Sequence, residues 1–146
     1  GGSNGGLLVG NMIALYPELF GAAVCQVPLL DMRRYHLLLA GASWMAEYGN
    51  PDAEGEWEFI QTYSPYQNIK TTVDYPAILF TTSTRDDRVH PGHARKMLAL
   101  MYDQGHDVSY YENIEGGHGC AANNKQRAYM QALAYAFLKE RLFGDN

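Results

Sequence analysis

Gly1-Gly2-Ser3-Asn4-Gly5-Gly6, followed without a break by the apolar stretch Leu7 to Tyr16, is the segment on which the fold turns. It holds a Gly-x-Ser-x-Gly pentapeptide at the entry to a helix-like run, the form a nucleophile elbow takes in sequence. An elbow sets a serine at the tip of a cramped strand-to-helix turn, where neighbours must allow strained dihedrals and close backbone contacts. Glycine on both sides of Ser3 supplies that freedom. No strand-length segment precedes the serine, because only Gly1 and Gly2 stand before it.

Working outward, Leu8, Met12 and Leu15 recur at helical spacing and predict a face packed on a sheet, with Pro17 ending the helix. Ala22 to Val27 has the length and composition of a buried parallel strand, closed by Pro28. Asp31 then fits the N-cap of a helix over Met32 to Leu39, stopped by Gly41. Between Ala42 and Asn68 the aromatics Trp44, Tyr48, Trp57, Phe59, Tyr63 and Tyr66 are set among Gly, Asn, Pro and acidic residues, a composition that often covers a site. Within that region a short helix is expected over Ala53 to Thr62, and Ser64-Pro65 marks another helix start. Ala77 to Thr82 is the clearest buried strand. Pro91 opens a helix with Ala94, Met97, Leu98 and Met101 on one face, ending at Gly105. Val108 to Tyr111 gives a third strand, and a long helix follows from about Asn123 with Met130, Leu133 and Phe137 on one side. The alternation predicts an α/β fold, about three parallel strands with helices on both faces, as a single domain over residues 1–146.

A net charge of −5 with no basic run gives no footprint for nucleic acid. No apolar stretch approaches the ~18 residues needed to span a bilayer, so no membrane contact is expected. Cys25 and Cys120 are too few and too far apart for a disulfide scaffold or a zinc knuckle, and they leave the compartment open between cytoplasm and periplasm. His90 and His93 flank Pro91-Gly92 and suggest a metal pair, but no third ligand stands near them, so neither a metal nor a cofactor is expected.

Serine needs a base to take its proton, and the base needs a carboxylate to fix its tautomer. In α/β hydrolases the chain order is Ser, Asp, His. Asp86 and Asp87 follow the best strand, and His118 lies in the glycine-flanked loop after the next one. His36 falls in a helical stretch and His106 in a turn at the opposite edge of the sheet, so His118 is the candidate base. In parallel sheets ligands gather at the carboxyl edge, where Ser3, the acidic loop and the His118 loop would all lie.

The chain resembles the prolyl oligopeptidase family of serine peptidases over nearly its whole length. The carriers are the elbow with Leu7-Leu8, Tyr16-Pro17-Glu18-Leu19-Phe20-Gly21, Trp44 with Glu47-Tyr48-Gly49, Tyr63-Ser64-Pro65, Asp86-Asp87-Arg88-Val89 and Gly117-His118-Gly119. The resemblance implies Ser3 as nucleophile, Asp86 as triad acid with Asp87 as second choice, and His118 as base. It implies the backbone N–H of Asn4 as an oxyanion donor, and Trp44 and Tyr48 as an aromatic wall for a substrate proline. Leu29 and Val89 would be apolar neighbours of that wall, and Arg88 would bind a substrate carbonyl. A peptide, cut after proline, is the implied substrate.

The same resemblance places the chain in the C-terminal part of an α/β-hydrolase domain. The domain's N-terminal half, with a tyrosine that supplies the second oxyanion donor, and a β-propeller would lie outside it. An open strand edge and unpartnered helix faces then predict a homo-oligomer. Two rival functions share the residues: a catalytically silent remnant acting through self-association or complementation, and an esterase.

Overall fold

The computed structural model describes residues 1–144. Helix α1 (Asn4–Leu15) leads by way of a 3₁₀ turn at Pro17–Leu19 into strand β1 (Ala22–Gln26). An irregular excursion follows, with short helices α2 (Met45–Tyr48), α3 (Glu56–Ile60) and α4 (Pro65–Asn68). Strand β2 (Ala77–Ser83), helix α5 (Gly92–Asp103), strand β3 (Val108–Asn113) and helix α6 (Asn124–Phe143) complete the chain. The sheet has the order β1-β2-β3 and is parallel throughout, with Val24 opposite Leu79 and Leu79 opposite Ser109. No described helix is long and apolar enough to cross a membrane.

One core joins α1, the sheet and α5 through Ile13, Ala23, Cys25, Ile78, Phe80, Met97 and Met101. Strand alternation turns Leu79 to the other face, and α6 packs against β1 and β2 with Met130, Ala134 and Phe137 buried. Helices therefore cover both faces, as the sequence predicts.

Three local expectations are corrected. The buried face of α1 is Gly6, Leu7, Gly10 and Ile13, while Leu8 and Leu15 are exposed and Met12 is only partly covered. Two of those buried positions are glycines, which a count of apolar side chains overlooks. A Cβ on Gly6 would lie 2.7 Å from Pro28 Cβ and 2.9 Å from Gln26 O, so helix and strand approach at backbone distance there.

Second, Met32 to Leu39 is not an α-helix. The chain makes 3₁₀ turns at Tyr35–Leu37 and Leu39–Trp44. Asp31 caps nothing, because its buried carboxylate accepts from Gln67 Nε2 (2.7 Å), Arg34 and Lys96. Gly41 is a close-approach residue: a Cβ on it would stand 1.7 Å from Tyr35 O.

Third, the two residues before Ser3 already pair with β1, though only through an isolated bridge and not as a strand. Gly2 bridges Gln26 in parallel, Gln26 N donates to Gly1 O at 2.9 Å, and Ser3 N donates to Gln26 O at 2.9 Å. Of the other helix starts, Ser64-Pro65 opens α4 with the proline in its first turn, but the Ser64 hydroxyl accepts from Met32 N at 3.0 Å instead of capping. Asn123 does cap α6, its side chain accepting from Gln126 N.

Candidate active site

Ser3 sits between the Gly1-Gly2 pairing and α1 with φ 58° and ψ −119°. The strain is in the serine itself and not in its glycines, none of which has positive φ in this segment. A serine at an N-cap ordinarily turns its oxygen back to the helix amides, yet Ser3 makes no such bond. Its Oγ lies 3.0 Å from His118 Nε2. His118 Nδ1 lies 2.8 Å from Asp86 Oδ2 and 3.1 Å from Oδ1.

Asp86 follows β2. Its side chain is wholly buried, and Oδ1 accepts from Arg88 N and Val89 N, each at 2.9 Å. Two amides and an imidazole thus fix the carboxylate in one rotamer. Asp87 is exposed, so of the two acids Asp86 is the one beside His118.

His118 is carried by a loop that sequence reasoning left unexplained. Buried Asn113, at the end of β3, accepts from Glu115 N at 2.9 Å and Gly116 N at 2.8 Å and donates to Gln126 Oε1 at 3.0 Å. An Asn at a strand end before Glu-Gly-Gly is the signal that was available for this Asx turn.

Backbone strain gathers around these groups. Besides Ser3, both Val27 (φ 38°) and Cys120 (φ 65°) have positive φ. With His118, Arg127 and Met130 they line a cavity of about 150 Å³. Such outliers concentrate at functional sites. Cys120 is a poor rival nucleophile: burial, reinforced by the Asp86 charge, pushes its thiol up to about 11, so it stays protonated near neutrality.

The residues expected to bind a substrate fall into two groups. Tyr48 reaches the elbow, its hydroxyl donating to Asn4 Oδ1 at 2.6 Å, and it borders a groove of about 520 Å³ with Asn4, Leu7, Leu8, Phe59 and Tyr63. Trp44 and Tyr48 pack against a buried cluster containing Leu29 and Val89, which are each only 2% exposed and so back the wall without offering surface. Arg88 is exposed beside the acid loop. As the first residue of α1, Asn4 has no intrahelical acceptor for its N–H.

The remaining histidines are occupied elsewhere. His93 is buried and accepts from Leu30 N and Asp31 N; His90 Nδ1 accepts from Gly92 N; His36 Nε2 pairs with Asp52 at 2.8 Å; and His106 lies edge-on to Tyr75. No group of three potential metal ligands occurs among the described residues.

Comparison with known proteins gives a consistent assignment. The family profile described as the prolyl oligopeptidase family matches residues 1–144. An uncharacterized peptidase, y4nA, from Sinorhizobium fredii is 54% identical over 146 residues, all of this chain and 20% of the relative. A prolyl endopeptidase from Dictyostelium discoideum is 40% identical over 125 residues, 82% of this chain and 16% of the relative. Among solved structures, a post-proline cleaving enzyme from Rickettsia typhi superposes with a TM-score of 0.94 at 40% identity, covering 97% of this chain and 21% of that one. The chain spans about a fifth of the length of these relatives, and its three parallel strands and flanking helices are part of an α/β-hydrolase fold. The chain belongs to the prolyl oligopeptidase family.

Proposed function

We propose that this chain carries the catalytic triad of a serine peptidase that hydrolyses peptide bonds after proline. The observation that carries the reading is the unbroken contact from Ser3 Oγ to His118 Nε2 (3.0 Å) and from His118 Nδ1 to Asp86 Oδ2 (2.8 Å). Ser3 Oγ attacks the scissile carbonyl carbon while His118 Nε2 takes its proton, and the Asp86 carboxylate accepts from Nδ1 and stabilises the imidazolium. The carbonyl oxygen becomes an oxyanion facing the Asn4 N–H. His118 returns the proton to the leaving amine, and water then repeats the sequence to release the acid and free Ser3. Trp44 and Tyr48 offer aromatic surface to a proline ring, and exposed Arg88 offers a directed donor to a substrate carbonyl.

The test is covalent labelling by a fluorophosphonate, with Ser3→Ala as control. Labelling confined to Ser3 is expected. A folded wild-type chain that takes no label, beside a full-length relative that does, refutes the reading for this chain and selects the silent-remnant alternative, as does activity that arises only on adding a complementing half. Turnover of short acyl esters with none of proline amides selects the esterase. We further propose that a second copy covers the apolar groove of about 320 Å³ at the outer edge of β1, where Leu8, Met12, Phe20, Val24 and Leu138 meet.

A further inference from the structure

We propose, building on the serine-peptidase reading, that Tyr48 is a positioning residue for the oxyanion donor and acts through the side chain of Asn4. The first turn of α1 has lost its ordinary cap, because the Ser3 hydroxyl is turned to His118. Its amides have no side-chain oxygen from Ser3 to hold them, and Asn4 itself is exposed. The hydrogen bond from Tyr48 Oη to Asn4 Oδ1, 2.6 Å long and 44 residues away in sequence, ties that turn to the rest of the molecule.

Tyr48 is itself held on three sides. Its ring meets Tyr35 edge-on, with centroids 5.6 Å apart and planes at 89°. Its carbonyl accepts from Tyr63 Oη at 2.9 Å, and the next carbonyl, Gly49 O, accepts from Tyr35 Oη. Burial raises Tyr48, with the Glu47 and Tyr63 charges adding to it, so the hydroxyl keeps its proton and can only donate to the amide oxygen. A rigid aromatic cluster therefore fixes the side chain whose own backbone N–H faces the developing oxyanion. The ring of Tyr48 serves the substrate wall, and its hydroxyl serves the elbow.

Tyr48→Phe keeps the ring and removes the tether, and Asn4→Ala keeps the backbone N–H and removes the other end. Loss of an oxyanion donor costs about 10²–10³ in turnover. Each variant misaims the donor without deleting it, so each is expected to slow Ser3 phosphonylation, and kcat on a proline amide, by about tenfold, with KM little changed. The double variant is expected to be no slower than either single one, because both cut the same bond. Independently of any activity, amide hydrogen exchange at Gly6 and Leu7, whose N–H groups donate to Ser3 O at 2.9 and 3.1 Å, is expected to quicken in Tyr48→Phe. Wild-type labelling with unchanged rates in both variants overturns the proposal, and so do losses that multiply in the double variant, or exchange at Gly6 and Leu7 that stays as in the wild type. Absence of wild-type labelling with quickened exchange in Tyr48→Phe overturns the peptidase reading and leaves the tether standing.

Discussion

Acidification from pH 7 to 4 is expected to loosen the segment after β1 through His93. This histidine is 1% exposed, and its Nδ1 accepts from Leu30 N at 3.3 Å and Asp31 N at 3.1 Å. Accepting requires the Nδ1 lone pair, so protonation there sets two amide donors against a third. Burial lowers His93 from 6.5 to about 4; the Asp31 carboxylate opposes the shift, while His90 and Lys96 add to it. A folded pKa below the unfolded one means that the unfolded chain takes up the proton first. Stability is then fully present above about 6.5 and falls with pH until about 4, where the folded chain protonates too. The interval is worth about 3 kcal/mol at roughly 1.36 kcal/mol per pKa unit. Burial alone would raise Asp31, but hydrogen bonds from Lys96 and Gln67 and the charges of Lys96 and Arg34 hold it below 3.8, so it stays ionised across this window. Glu112, held at about 2 by its hydrogen bonds to Arg95, does too. Urea melts of the wild type and His93→Gln at pH 7, 5.5 and 4.5 check this, since a glutamine oxygen accepts the same bonds without titrating. The wild type is expected to lose about 2 kcal/mol more than the variant over that range. Equal losses refute the reasoning. If the variant does not fold, the His93 imidazole resonances of the wild type serve instead, and a midpoint near 6.5 refutes it.

Other substitutions probe the elbow, the fold and the open groove. Asp86→Asn keeps an oxygen for Arg88 N and Val89 N but disturbs the His118 tautomer, so kcat is expected to fall by up to about 10⁴ with an unchanged thermal midpoint; steady-state kinetics beside a melt reads both. Gly41→Ala is expected to destabilise by about 3 kcal/mol or more, because the new methyl would meet Tyr35 O, and chemical denaturation measures it. Leu8→Glu places a charge in the groove at the edge of β1 and is expected to shift sedimentation toward the monomer, whereas a wild type that is monomeric at all micromolar concentrations refutes the association.

The supports of the candidate site were less legible in the sequence than its candidate residues. Strands were readable because parallel strands buried on both faces are short apolar runs, as in Ala77 to Thr82; Ser3, Asp86 and His118 were named as candidates because their chain order restricts the choice, and their side chains lie in contact. Met32 to Leu39 misled because its apolar spacing suits a helix, while its conformation is set by contacts remote in sequence: Asp31 with Lys96, Met32 with Ser64, and Gly41 with Tyr35. The α1 face misled for the opposite reason. Its closest contacts are made by Gly6 and Gly10, residues with no side chain to count.

Ser3 shows why these supports matter to the chemistry. The dihedrals that swing its hydroxyl to His118 also withdraw the cap from α1, and a helix start without a cap leaves amides at its tip unsatisfied. That is unfavourable in a helix judged by itself, since losing a Ser cap typically costs ~1 kcal/mol. At this position it supplies a free N–H on Asn4, the residue next to the nucleophile. On the proposed mechanism, presenting the nucleophile and freeing a donor for the oxyanion are thus one backbone event. Three contacts offset its instability: Ser3 N on Gln26 O, Gly6 against Pro28, and Tyr48 on Asn4. The first runs through backbone alone, and in the second the Gly6 backbone meets the Pro28 ring and Cα. The third runs through side chains, so Tyr48→Phe can remove it without disturbing the sheet, and it is the contact through which changes in the aromatic wall reach the nucleophile's turn.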